Sequence, residues 1–375
     1  MLNGVNVMIT AALICQQGIP FQVSPARTQM VEELMKRGSK VILFFPGNAK
    51  DIKKKVDEVV NTRKMHFSSI RNRIKEINPD IVICFTHEDC QICYPLPYVM
   101  KDTDFYYYNL EIYVKSTKRK GRSIYDILVN KLDYLSKKFK EILYVKGCQS
   151  IVIQDKLRKR ILKKYWISHK RTWLIPNSYY SSSRCDVPHK TGLIYSGIVG
   201  PDTLDSFAKN SHKLKNIEIT MSGWCYADIR LKKSPNIKIM IQNLSQEKYT
   251  EFISAYDIAL IWYSENTDDN VYNIGLSSGK YFKHLSLGQP VIVNRVPGLA
   301  EEIEKNKVGI VIDDLSELND AVQTITENYS TYVSNIKNIY DKRYDYGKVS
   351  RRFFDSVIYH AKIKKERKQR ELKSK

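Results

Sequence analysis

The chain has 375 residues, comfortable for two domains with separate apolar cores. No window approaches the roughly 18 uninterrupted apolar residues of a membrane span, which argues against a helical membrane protein. Lys and Arg number 61 against 40 Asp and Glu, a net charge of +21. Residues 101–175 hold 19 Lys/Arg against 7 Asp/Glu, and residues 361–375 hold 8 against 2. Charge this localised implies an anionic surface or ligand, whether nucleic acid, anionic lipid or a phosphorylated substrate. A lysine-favouring, AT-rich genome would leave a similar count.

Short apolar runs alternate with helical-period segments. "VNVMITAALI" (5–14) opens the chain. Its run from Val7 to Cys15 has no basic leader and reads as a first strand rather than a signal peptide. A helix follows over Thr28–Lys36, then strands at "KVILFF" (40–45), "IVICF" (81–85), "FYYYNL" (105–110) and "SIVI" (150–153). The helix "DKLRKRILKK" after Asp155 places Leu157, Ile161 and Leu162 on one face and six basic residues around the rest. Strand–helix alternation with β-branched runs indicates parallel sheets covered on both faces. The seven cysteines are odd in number and scattered, which fits a reducing cytoplasm.

A second series comprises "GLIYSGI" (192–198), "IEIT" (217–220), "IKIMI" (237–241), "DIALIWY" (257–263), "PVIV" (290–293) and "VGIVI" (308–312). Ser245 caps "QEKYTEFI", and Asp314 with Glu317 forms a capping-box-like start for the helix at 317–325. Between the series, "IPNSYYSSSRCDVPHK" is rich in Pro, Ser and Asn and reads as a linker. The expected organisation is an α/β domain over 1–175, a linker at 176–190, a second α/β domain over 191–345, and a C-terminal helix with a basic tail over 346–375 that frays.

"SSGKYFKHLSLGQPVIV" (277–293) starts a helix with two hydroxyls, a glycine and a lysine. A helix N-terminus exposes unpaired N–H groups and a partial positive charge, so phosphate is attracted there. Gly279 leaves room for a close approach and Lys280 adds a full charge. Plain capping by serine explains the same residues. The segment follows a strand that ends in a polar loop, and ligands of open α/β sheets sit beyond the carboxyl ends of strands.

"YDIALIWY", "SSGKYFKHLSLGQPVIV" and "VPGLAEEIEKNKVGIVIDD" together resemble the donor-binding half of GT-B nucleotide-sugar glycosyltransferases, particularly the large retaining family four of bacterial polysaccharide assembly. "IVIQDKLRKRILKKYWISHKRTWLIPNS" is similar to the stretch that enters the interdomain linker there, and "GLIYSGIVG" to the first strand and loop of the C-terminal domain. The resemblance implies an α/β architecture of two Rossmann-like doubly wound domains facing a cleft. It implies an enzyme, a hexosyltransferase-type glycosyltransferase that moves a sugar from a nucleotide-diphosphate donor to a glycan or lipid-linked acceptor with retention.

In that resemblance Ser277, Ser278, Gly279 and Lys280 hold the donor diphosphate. Gly197 with Ser196 lets backbone amides approach it from the facing loop; an ordinary strand-ending turn accounts for that pair equally well. Pro176, Asn177 and Ser178 form hinge and cleft floor. Relatives usually carry glutamates where this chain has Lys283 and Gly275, the former gripping the ribose hydroxyls. Lysine accepts no hydrogen bond. Glu265, Asp268 and Asp269 in the preceding loop are substitute carboxylates, or simply an acidic turn.

Catalytic candidates of the N-terminal half are Glu111 in "YYYNLEIY" and His87, which opens "HED" after "IVICFT". Glu111 would position an acceptor hydroxyl or act as a base with a raised pKa, or else cap a loop or pair with Lys115. Arg27 matches a basic cleft position of relatives, where it meets phosphate or solvent. His87, Cys90 and Cys93 lack the fourth ligand of a zinc site, so neither metal nor cofactor is expected and the thiols read as buried. The basic helices from Lys131 to Lys164 would bring the acceptor side to an anionic membrane at its cytoplasmic face. Other readings are a sugar-nucleotide epimerase of the same fold and a basic RNA-binding protein, although no RNA-binding motif is present.

Overall fold

The computed structural model describes residues 8–16, 25–47, 55–112, 124–182, 190–197, 207, 210–214, 217–222, 237–240, 246–263 and 269–374. The chain divides into two compact units: 1–176 with 350–375, and 177–349.

Unit 1 runs β1 (Thr10–Ile14), α1 (Pro25–Lys36), β2 (Lys40–Phe45), β3 (Glu58–Asn61), α2 (Phe67–Ile77), β4 (Ile81–Cys84), α3 (His87–Cys93), β5 (Asp104–Tyr108), α4 (Ile124–Gly147), β6 (Ser150–Ile153), α5 (Lys156–Lys164) and β7 (Thr172–Leu174). The strands form one parallel sheet in the order β3-β2-β1-β4-β5-β6-β7. Every residue of β4, β5 and β6 is buried, as expected of a parallel sheet covered on both faces. The edge strands β3 and β7 are half-exposed and lack the continuous apolar run that marks the others. Cys84, Cys90, Cys93 and Cys148 are buried free thiols, Cys90 and Cys93 in line with their reading as buried.

Unit 2 holds β8 (Lys190–Ser196), β9 (Ile219–Ser222), β10 (Ile237–Met240), α6 (Gln246–Ser254), β11 (Tyr256–Ile261), α7 (Gly279–Ser286), β12 (Val291–Asn294), α8 (Leu299–Asn306), β13 (Gly309–Ile312), α9 (Leu318–Glu327) and α10 (Tyr329–Ile339). Its parallel sheet is ordered β10-β9-β8-β11-β12-β13. In both sheets the winding reverses beside the first strand, between β1 and β4 and between β8 and β11. Such reversals open a crevice at the carboxyl ends of the strands. The expected linker packs on unit 2 as far as Ser182: Tyr179 N–H donates to Tyr340 Oη, Ser181 N–H to Asp345, and Ser182 Oγ–H to the Ser286 carbonyl. Residues 183–189 lie outside the described residues, as does Ser245.

The expected C-terminal helix is present, but its basic end is not frayed. It forms α11 (Tyr346–Lys373), whose residues from 350 onward belong to unit 1. Phe353 meets the rings of Tyr106 and Trp173 edge-on, and Phe353, Phe354 and Val357 are buried. Lys364, Lys365 and Lys368 pair with Asp104, Asp80 and Asp102, each at 2.8 Å. The tail predicted to fray is therefore a docked helix. Its apolar face carries most of the attachment, because partly exposed ion pairs contribute only about 0–1 kcal/mol each.

Candidate active site

At the crevice of unit 2, Ser278 is the N-cap of α7, its Oγ accepting from the Tyr281 amide at 3.2 Å and meeting Tyr263 Oη at 2.6 Å. Tyr263 is itself fixed two residues past β11. Its N–H and C=O both bond the Asn294 side chain at 2.8 Å, tying the ends of β11 and β12 together. Gly279 and Lys280 are the first helical residues, whose amides the helix cannot satisfy. Lys280 folds back over the end of β8. Its Nζ donates to Tyr195 Oη at 2.9 Å and lies 4.7 Å and 5.6 Å from the ring centres of Tyr195 and Tyr263. Burial opposes its charge, but Tyr195, Tyr263 and Tyr249 around it outweigh that, and its pKa is net raised. The ammonium thus stays charged, oriented beside a positive helix end.

Gly197 belongs to this arrangement through the space that it leaves. Its N–H donates to the Ser222 carbonyl at 3.0 Å and is not available to a ligand. A Cβ at this position, where φ is +120°, would stand 2.4 Å from Lys280 Cε. The glycine makes room for the lysine. Ser196 is also engaged: its Oγ lies 2.6 Å from His284 Nε2, and His284 Nδ1 lies 2.7 Å from Gln289 Oε1. Gln289 Nε2 donates to the Ile253 and Tyr256 carbonyls, so its Oε1 must accept and Nδ1 of His284 carries the proton. Nε2 then accepts from Ser196, whose hydroxyl proton is turned away from any ligand. Burial drops the His284 pKa to about 4, keeping the ring neutral.

Asn177 clamps the turn before α7: its N–H and Nδ2 donate to the Leu276 and Ser277 carbonyls at 3.0 Å. Ser277 and Ser178 are buried. Gly275, where relatives have glutamate, has φ +46°, a left-handed conformation that a side chain resists. Lys283 donates to Thr250 at 2.7 Å and covers the Tyr179 ring, so it braces α7 against α6. Glu265, Asp268 and the side chain of Asp269 lie outside the described residues.

In unit 1, His87 and Glu111 follow adjacent strands, β4 and β5, whose extensions are joined by the Leu110 N–H to Phe85 carbonyl bond. His87 is buried, and that burial, with Lys138 and Lys137 nearby, lowers its pKa to about 4. The loop carrying Glu111 is held on several sides. Asn109 Nδ2 donates to Tyr107 Oη at 2.8 Å and to the Glu111 carbonyl at 3.0 Å. Gln154 Nε2 reaches the Asn109 carbonyl, and Arg158 Nη2 the Leu110 carbonyl at 3.1 Å. Arg158 was expected among the basic residues on the outside of its helix. It is instead wholly buried, its pKa lowered to about 10 by that burial while Asp155 and Glu111 act to raise it. A protonated guanidinium beneath Glu111 is a feature that helical periodicity did not reveal.

Arg27 is the other basic candidate of unit 1. It lies within the first turn of α1, is 1% exposed, and rests 5.9 Å from the Phe85 ring centre. Its charge acts on buried Asp89, whose carboxylate accepts from the amides of Gln16, Phe85 and Thr86 and so staples β1 to β4. Burial raises the Asp89 pKa to about 6 even so. Arg27 is thus buried against its own domain, which removes the solvent-exposed alternative. Lys115 lies outside the described residues, and no cluster of three potential metal ligands occurs among those described.

Residues 198–350 match the family of glucosyltransferase 3-like C-terminal domains. Among solved structures, HepE from Anabaena in complex with UDP and glucose superposes with a TM-score of 0.68 at 10% identity, over 94% of this chain and 100% of that one. A glycosyltransferase from Rickettsia africae gives 0.67 at 14% identity, over 94% and 99%. WaaG, a glycosyltransferase involved in lipopolysaccharide biosynthesis, gives 0.66 at 16% identity, over 93% and 99%. The fold is that of GT-B glycosyltransferases. The domain match supports a glycosyltransferase. No curated protein matches the sequence.

Proposed function

We propose that the protein transfers a sugar from a nucleoside-diphosphate donor, with the diphosphate held at the start of α7 by Ser277, Ser278, Gly279 and Lys280. The observation that carries this reading is Lys280, protonated and pre-oriented by Tyr195 beside unsatisfied helix amides at the reversal point of the sheet. Such donors stabilise the charge that develops on a departing diphosphate. HepE has been captured with UDP and with UDP-glucose, which supports a uridine diphosphate sugar as the donor to test first.

Glu111 serves the acceptor, its loop stiffened by Asn109, Gln154 and Arg158. His87, with a pKa near 4, is a weak base and contributes orientation more than proton transfer. The acceptor is a glycan or lipid-linked glycan of a surface polysaccharide or glycoconjugate, transfer proceeds with retention, and the enzyme works in the cytoplasm in peripheral contact with an anionic membrane. Among the described residues no helix is long and apolar enough to cross a bilayer.

Release of free UDP from UDP-sugars only when acceptor is added tests the transfer reading; release without acceptor, or epimerised donor, would overturn it. Glu111→Gln should lower turnover while UDP affinity stays unchanged by calorimetry. A matching loss of UDP affinity would remove Glu111 from the acceptor role.

A further inference from the structure

The helix α4 carries a pattern that neither the core nor the transfer chemistry uses. Leu128, Leu132, Leu135 and Phe139 follow one another at spacings of four, three and four residues, which brings them within about 60° around the helix. All four are on the surface: their exposures are 54%, 67%, 50% and 61%. Single exposed apolar residues are ordinary, but a stripe of four on one helix face marks an interaction surface. Exposed Lys131 lies at its edge.

A second, independent feature lies at the end of the helix that packs on α4. Helix α5 ends in a Schellman motif: the Trp166 N–H bonds the Lys163 carbonyl, and the Ile167 N–H bonds the Leu162 carbonyl, each at 3.0 Å. The residue in the left-handed position of that motif is ordinarily glycine. Here it is Trp166, with φ +61° and its side chain 80% exposed. A bulky residue in this conformation is strained, and an indole in water recovers none of that strain through packing. The preceding residue, Tyr165, has its ring 5.1 Å beneath Lys138 Nζ of α4, so the end of α5 abuts the middle of α4. Lys163 and Lys164 beside it are exposed.

We infer that the α4 stripe and Trp166 form an interfacial surface that inserts into the headgroup region of an anionic bilayer. The inference rests on the peripheral-membrane reading proposed above and changes its physics. That reading assigns attachment to lysines, yet Lys137 pairs with Asp133, Lys138 is buried against Glu141, and Lys140 lies over the Tyr94 ring. Attachment is instead mainly apolar, with exposed lysines selecting anionic lipid. The positive charge of exposed Lys131, Lys163 and Lys164 decides between a bilayer and a second copy of the chain. It draws an anionic surface and opposes like-charged copies meeting along the stripe. Amphipathic faces of this kind, with aromatic residues and flanking lysines, lie in the plane of an interface.

The test is flotation of the full chain with phosphatidylcholine vesicles, with and without phosphatidylglycerol. The wild type should float with the anionic vesicles and remain largely bound in about 1 M salt, where the screening length is about 3 Å. Leu132→Ser with Leu135→Ser should lower the partition coefficient on the order of a hundredfold, leaving the melting temperature and UDP affinity unchanged. Trp166→Gly should raise the melting temperature and yet lower the partition coefficient. Wild-type binding that salt abolishes, with the double variant floating equally well, would overturn the insertion while leaving an electrostatic membrane contact. No wild-type binding to either vesicle would remove both readings. A dimer by light scattering that the double variant converts to monomer would assign the stripe to a second copy, against the proposal.

Discussion

Lys280→Ala tests the diphosphate cradle most directly. Hydrogen bonds to a charged group contribute about 1.5–3 kcal/mol, and each 1.4 kcal/mol is about tenfold in affinity, so UDP should bind roughly ten- to a hundredfold more weakly. The upper half of that range is expected, because the ammonium is already fixed 2.9 Å from Tyr195 Oη and little ordering remains for the ligand to impose. Stability should fall by only about 1 kcal/mol, the scale of a half-exposed cation–π contact, and circular dichroism should be unchanged. Lys283→Ala is the matched control. It removes the same charge three residues along α7, from a side chain that faces Thr250 and Tyr179 instead. Calorimetry with UDP on both variants separates a direct contact from a general positive field. Equal losses would mean the field alone acts, and an unchanged Kd in Lys280→Ala with intact fold would refute the cradle.

Gly197→Ala should weaken UDP binding about as much as Lys280→Ala, because the new methyl would occupy the place of Lys280 Cε; undiminished binding would show that the lysine acts from another position. Lys138→Glu should destabilise unit 1 by about 3–5 kcal/mol, since it leaves the buried Glu141 carboxylate facing another carboxylate; thermal melting unchanged from wild type would contradict that pairing. Acid should act on the two units differently. The His284 pKa is about 4 when folded against an ordinary 6.5, so the unfolded chain takes up a proton that the folded one refuses, and unit 2 should lose about 3 kcal/mol as pH falls from 6.5 to 4. In unit 1 the similarly lowered His87 is opposed by Asp89, whose raised pKa near 6 favours the folded state over nearly the same window. Hydrogen exchange should therefore show unit 2 opening first in acid, and His284→Gln should flatten its pH dependence; parallel slopes in variant and wild type would refute this.

Where a residue's role depends on its own chain neighbourhood, the sequence already displays it. The strands β2 and β6 coincide with the predicted runs because a strand buried on both faces is a continuous apolar run whatever surrounds it. The start of α7 was legible for the same reason, since capping serine, glycine and lysine are adjacent in sequence. Roles created by distant partners were not legible. Ser196 loses its donor to a histidine 88 positions away, and Gly197 is glycine because a lysine from the other side of the sheet reversal crosses it. Charge misleads most, because a segment total counts every lysine alike. Arg158 is wholly buried beneath Glu111, Lys138 is buried with a carboxylate, and the tail lysines are paired to unit 1. The apolar residues of α4 mislead in the opposite sense: their spacing would suit a core face, but the fold leaves that face in water. A surface can therefore be assigned to a partner only after the charges already paired are set aside, and on unit 1 that step shifts the argument from lysines to Leu132, Leu135, Phe139 and Trp166.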